Sequence, residues 1–321
     1  MLTPLSRRGF FTAGALAAAA CVAARSDDDP RPIAPGTDER IVHLDRLTSR
    51  EVEAWIKTSD VIFVPHGPIS GHGPWTTLGI HPHGAEAVSV RLARKCGGLV
   101  YPTIYTAFAG ATRMYPGTVP FSYELHVQIL KAVVRSLYAQ GFGRIFLVAF
   151  TNPEDLAGTV AARDLFDIEG EIPVAALLAN KGMSCDAVKK LLADYKGDAG
   201  EAIYDYAAMQ ILHHERGIAE PELAKVGLKS GLDQNAEIRD DIRILRRLGA
   251  RGFRYDAERE HSSHGTVGLT YEGKSDVELG VKLIDALADY LLPAVEALKH
   301  HRDYLKAHPA KRIEKMTPLD Q

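Results

Sequence analysis

The stretch "SLYAQGFGRIFLVAFTNPED", residues 136–155, carries the pattern on which the fold turns. Its first residues close a helical run that Ser122 caps, with Leu125, Ile129, Val133 and Leu137 on one stripe and Gly141 as the stop. "RIFLVAF" (144–150) is then apolar without alternation, which marks a strand covered on both faces. "TNPEDLAGT" (151–159) follows and reads as a loop. The same alternation extends in both directions. "VIFVP" (61–65), "GLVYPTIY" (98–105) and "IPVAALLA" (172–179) read as strands. Residues 84–96, with Ala87, Val90, Leu92 and Ala93 on the apolar positions, read as a helix, as do about 158–166 and 199–215. A long helix is expected over 276–299, with Leu279, Leu283, Leu287 and Leu291 at i+4 spacing. Strands alternating with helices predict an α/β fold: a mostly parallel sheet with helices on both faces, in three layers. No internal repeat is present, and residues 41–321 are expected to form one domain.

Composition narrows the function classes. With 46% hydrophobic residues, 25% charged and a net charge of −3, the chain has ordinary globular composition and ample material for a core. There is no basic excess for a nucleic-acid surface. "SRRGFF" (6–11), followed by the small apolar run 10–24, reads as a twin-arginine export signal over residues 1–25 and implies a periplasmic or secreted protein. The run is too short for a membrane span. "AAAC" (18–21) makes Cys21 a minor candidate for lipid anchoring. Residues 26–40 are charged and contain proline, as a disordered linker does. Cys96 and Cys185 are read as two buried free thiols, with one bridge as the alternative.

Open parallel sheets take ligands beyond the carboxyl ends of their strands. Two segments open there, "TNPEDLAGT" and "HGPISGHGPWTTLGIHPHGAEAV" (66–88). The second places His66, His72, His81 and His83 among glycines and prolines, with Glu86 as its one carboxylate. His72 and His81, with His83, His66 or Glu154 as third donor and an open position for water, would make a catalytic site for a single divalent ion, zinc or manganese. Trp75 in the same loop would wall a planar ring, or pack within the loop. Arg113 and Tyr115 would clamp an anion, or lie on the surface.

The order of these motifs resembles the creatininase family of amidohydrolases. The family loop G-S-x-E-Q-H-G-P-H-L-P-L-G-T-D-x-x-x-A-E-A is similar to "GPISGHGPWTTLGIHPHGAEA" (67–87). "YTAFAGATRMYPGTVPF" (105–121) resembles Y-G…F-P-G-T-I-S-L, and "SLYAQGFGRIFLVAFTNPED" resembles the helix and G-F-x-x-I-x-x-V-N-G-H-G-G-N. "GDAGEAIYDYA" (197–207) stands where H-A-G-E-x-E-T-S is expected, and "HGTVGLTYEGKSDVELG" (264–280) resembles the closing G-V-x-G-D-P-x-x-A-T-A-E-K-G. The likeness runs from about residue 41 to 291. It implies the three-layer scaffold, a hexamer or other homo-oligomer, and a small-molecule substrate with a C–N bond in a cyclic amide. It also implies two divalent ions held by the Glu and His of E-Q-H-G, a bridging Asp, the His of N-G-H-G-G-N and a further acidic residue.

Carried over residue by residue, that ligand set is altered. Ser70 stands at the first Glu, His72 keeps the His, and His81 stands at the bridging Asp. Thr151 replaces the later His and is followed by Asn152, Pro153 and Glu154. Asp198 stands at the His of H-A-G-E, Glu201 is kept, and Ile203 replaces the Glu of E-T-S. A bridging carboxylate brings negative charge between two cations about 3.5–4 Å apart, and a neutral imidazole brings none. The resemblance therefore implies a divergent centre. Three readings remain: a single-ion hydrolase; a metal-free one with His72 as general base beside Asp198, Glu201 or Glu154; or a non-catalytic relative that binds a small molecule or forms an oligomer. Ser70, Trp75, Arg113, Thr151 and Asn152 are the candidate substrate contacts.

Overall fold

The computed structural model describes residues 42–71, 78–109, 112–113, 115–150, 152–170, 172–193, 244, 247–248 and 277–309. Their elements are, in chain order, α1 (Ser49–Ile56), β1 (Val61–His66), α2 (Ile80–Cys96), β2 (Leu99–Val100), α3 (Tyr123–Gln140), β3 (Arg144–Ala149), α4 (Asn152–Asp167), β4 (Val174–Leu178), α5 (Asp186–Leu192), α6 (Val277–Leu291) and α7 (Pro293–Ala307). The strands form one parallel sheet in the order β2-β1-β3-β4. β1 and β3 are its centre, paired from Val61 opposite Arg144 to His66 opposite Ala149. Every residue of β1 is buried, and all of β3 after Arg144.

Alternate strand residues serve opposite layers, as the pleat requires. Val61, Phe63, Phe146 and Val148 join a core with α2, α6 and the buried faces of α5 and α7. Phe63 and Phe146 stack across the strands at 5.2 Å, an arrangement contributing about 0.5–1.5 kcal/mol beyond its burial. α3 and α4 cover the other face. The expected three-layer α/β architecture is what the chain forms.

Several boundaries differ from the expected ones, each for a physical reason. α2 begins at Ile80 and not at residue 84, because Pro82 falls in the first turn, where its missing N–H costs nothing. His81 and His83 are therefore helical. α4 likewise begins at Asn152 and not near 158, so most of "TNPEDLAGT" is helix. The long helix expected over 276–299 is two helices: Pro293 opens α7 and ends the N–H ladder of α6, while Leu292 stays in the right-handed region. β2 is only Leu99–Val100; beyond it a lone bridge pairs Ile104 with His66. Cys96 and Cys185 are free but half-buried.

The buried stripe of α3 is also rotated from the expected one. His126, Val127, Leu130, Lys131, Val134 and Leu137 face inward, whereas Leu125 is 43% exposed. Lys131 is held there by Asp164 at 2.8 Å and Glu169 at 2.7 Å. These are buried polar groups that an apolar pattern counts as outward. At the far end of the sheet Asp60 accepts from Arg144 Nε at 2.7 Å and from Arg302, tying α7 to the start of β3. The helix 199–215, like the leader and linker, lies outside the described residues. None of the described helices is long and apolar enough to cross a membrane.

Gly84 seats α2 on the end of β3: a Cβ there would lie 2.7 Å from the Phe150 ring. Gly84→Val should lower stability by about 1–3 kcal/mol in urea unfolding; an unchanged midpoint would contradict this seating.

Candidate active site

The carboxyl ends of β1 and β3 set the position of everything that follows them. After β1 the chain runs through Gly67 to Gly71, and Ser70 N–H donates to Leu78 O at 2.8 Å, closing the base of the histidine-rich loop. Gly67 lies against the first turn of α2: a Cβ there would meet Pro82 N at 2.8 Å. Only glycine permits that approach. The "PGT" turn braces the loop from outside. Val119 N–H donates to Ile69 O at 3.0 Å, and Gly71 N–H donates to Thr118 Oγ1 at 3.0 Å. Gly117, at φ 83°, packs under Leu78. Tyr115 lies on Gly71, its Cβ 3.0 Å from where a Gly71 Cβ would be, and burial pushes its phenol up to about 12.

Ser70 is 1% exposed, and among the described residues its hydroxyl has no hydrogen-bond partner. Buried hydroxyls are nearly always bonded, so this one is available to a ligand. His81, in the first turn of α2, is 5% exposed. The amino-terminal end of that helix gives the same edge a positive dipole end. His83 turns back, its ring against Gly79 and edge-on to Tyr105 at 6.1 Å. Glu86 accepts from Thr103 Oγ1 at 2.8 Å, which binds α2 to the chain after β2. His66 belongs to the opposite layer, where its ring meets His126 at 5.0 Å. Burial, reinforced by His126, holds its pKa well below the usual histidine range.

The remaining candidates divide as follows. Asn152 and Glu154 stand in the first turn of α4, at the carboxyl end of β3. Arg113 is exposed in a short turn. His72, Trp75, Thr151, Asp198 and Glu201 lie outside the described residues. Among the described residues no three His, Cys, Asp or Glu are grouped to hold a metal ion. The donor chemistry does not fit a dinuclear centre. By the resemblance, a hydroxyl, Ser70, stands at the position of one carboxylate and an imidazole, His81, at that of the bridging one, and neither brings negative charge between two cations.

Sequence reading missed His126, whose signal is a histidine inside an amphipathic stripe, and Thr118. It also placed His81 and His83 in a loop, although Pro82 is a first-turn residue. The start of α4 had its own signal: Pro153 with two acids, Glu154 and Asp155, as in a helix's first turn.

The family profile described as Creatininase, creatinine amidohydrolase, matches residues 45–196. Over those residues the chain is similar to the creatininase family. Solved creatininases share the fold. A manganese creatininase has a TM-score of 0.58 at 18% identity, over 79% of this chain and 98% of that one. A zinc–zinc variant has 0.56 at 17%, over 80% and 97%. A creatininase variant complexed with creatine has 0.58 at 18%, over 80% and 98%. Comparison with curated proteins gives no significant match.

Ser70→Ala removes a hydroxyl that bonds to nothing among the described residues. Thermal or urea unfolding should show stability unchanged or raised by up to about 1 kcal/mol. A loss greater than that would mean the hydroxyl has a structural partner.

Proposed function

We propose that this chain is an exported amidohydrolase that opens a C–N bond in a small cyclic amide or related compound, at the carboxyl ends of β1 and β3. One observation carries the reading: the buried, unpartnered Ser70 hydroxyl stands at that edge, in the loop between β1 and the histidine-bearing start of α2. A neutral hydroxyl suits a neutral amide. Its O–H donates to the carbonyl oxygen, and the contact strengthens as negative charge grows there during attack. The dipole at the start of α2 favours the same charge.

The other roles follow the chemistry of the side chains. Without a metal ion, His72 acts as general base toward water, with Asp198, Glu201 or Glu154 orienting it or passing a proton to the leaving nitrogen. Where His72 ligates an ion instead, it does not take that role. Trp75 walls the ring of the substrate, and Asn152 and Thr151 offer polar contacts from the other strand end. His72 and His81, with Glu154 or His83, would hold one zinc or manganese ion rather than two. Such an ion, when bound, supplies Lewis-acid polarisation of the amide carbonyl. The zinc and manganese forms among the fold neighbours support a divalent ion, and the creatine complex supports a small-molecule ligand. The twin-arginine pattern of residues 6–24 supports export, and the family resemblance supports a homo-oligomer.

The exchange of carboxylates for Ser70 and His81 also favours a second reading, a non-catalytic relative that binds such compounds without turning them over. A panel of lactams, cyclic ureas and lactones separates the two, with ring opening followed by chromatography and binding by calorimetry. The enzyme reading expects turnover of at least one compound, lowered at least a hundredfold in His72→Ala and in His81→Ala. Saturable binding without ring opening would select the second reading. Neither turnover nor binding anywhere in the panel would sink both.

A further inference from the structure

The two edges of the sheet are finished differently. At one, β2 is only Leu99–Val100, and the chain's own His43 bridges to it, with Val100 N–H donating to Val42 O at 2.7 Å. At the other, β4 reads Val-Ala-Ala-Leu-Leu and pairs with β3 from Val174 opposite Ile145 to Leu178 opposite Ala149. Its outer side has no hydrogen-bond partner among the described residues. Val174, Ala175 and Ala176 are only half-buried there. Open strand edges are ordinarily blunted by charge, an internal proline, a bulge or shortness. β4 has no charge and pairs without a break, and Pro173 stands just before it.

The edge is presented by three layers and not by the strand alone. On one side α4 sits on β4: a Cβ at Gly158 would lie 3.5 Å from the Ala176 Cβ. On the other, Ala175 and Leu177 pack into the core shared with α5 and α6. At the amino end, Ala162 and Phe166 of α4, Pro173, Val174, and Leu298 and His301 of α7 line an open cleft of about 230 Å³. The charges on its rim cancel, since Arg163 and Asp167 are both exposed and lie one turn apart on α4.

These features decide the occupant. A charged peptide would find no net charge to meet. A neutral peptide strand would fill the middle layer only. A second copy brings the same three layers and the same balanced rim, and its β4, antiparallel across a two-fold axis, supplies the missing backbone partners. The area suffices as well. α4 has 16 residues and is about 24 Å long. Three layers are about 30 Å thick, so each copy offers about 700 Å². Two copies bury about 1,400 Å², within the roughly 1,200–2,000 Å² of a stable interface.

We propose that β4 is the contact strand of a two-fold homodimer, in which the sheets of two copies join edge to edge. This rests on the homo-oligomer reading above and names its surface. It holds whether the site turns over its ligand or only binds it.

Sedimentation of the full chain over a range of concentrations tests this. The chain should form a dimer, or an assembly with an even number of copies. Val174→Lys sets a charge on the edge, and Arg163→Asp leaves two acids on each rim. Each should raise the dissociation constant of the contact at least about tenfold. Arg163→Asp combined with Asp167→Arg restores the balance and should restore assembly. Both of those side chains are exposed, so these variants serve even should Val174→Lys fail to fold. A chain that stays monomeric at every concentration overturns the contact and the homo-oligomer reading together. Assembly that is unchanged in Arg163→Asp overturns the β4 contact alone. Failure of the double exchange to restore assembly overturns the two-fold arrangement.

Discussion

The parallel ladder between β1 and β3 is the constraint on which the rest depends. Six consecutive residues pair in register, and nearly all of them are buried on both faces. A slip of one residue would turn Phe63 and Phe146 out of their layer and carry His66 into it. With the register held, both strands end at the same level. The loop after β1, the first turn of α2 and the first turn of α4 are thereby brought to one edge of the sheet.

At that edge the scaffold and the chemistry have separated. The backbone devices of the family loop are kept: Gly67 against Pro82, Gly71 under Tyr115, and the "PGT" turn hydrogen-bonded to Ile69 and Gly71. The charge is not kept. Ser70 and His81 stand where the resemblance places carboxylates, and one of them is a buried hydroxyl with no partner among the described residues. Backbone geometry survives such exchanges because it rests on glycines and main-chain hydrogen bonds. Metal affinity rests on carboxylate oxygens, and the proposed reading follows from their exchange.

The sheet was legible in the sequence because buried parallel strands are continuous apolar runs, and residues 61–65 and 144–150 contain little else. Helix starts were less legible. Pro82 and Pro153 look like loop residues to a periodicity count, yet both occupy first turns, where proline is at home. The inward face of α3 was misjudged because His126 and Lys131 are buried through a ring contact and two ion pairs, which hydrophobicity cannot register. Of the candidate site, Ser70 was found through resemblance. Its isolation is a property of the packing and has no sequence signal.

Anomalous diffraction from crystals of the full chain grown in excess manganese tests the central claim, that the exchanged donors cannot hold paired ions. The account predicts at most one anomalous peak per chain beyond the carboxyl ends of β1 and β3, within bonding reach of His81. Two peaks about 3.5–4 Å apart at that edge would contradict it.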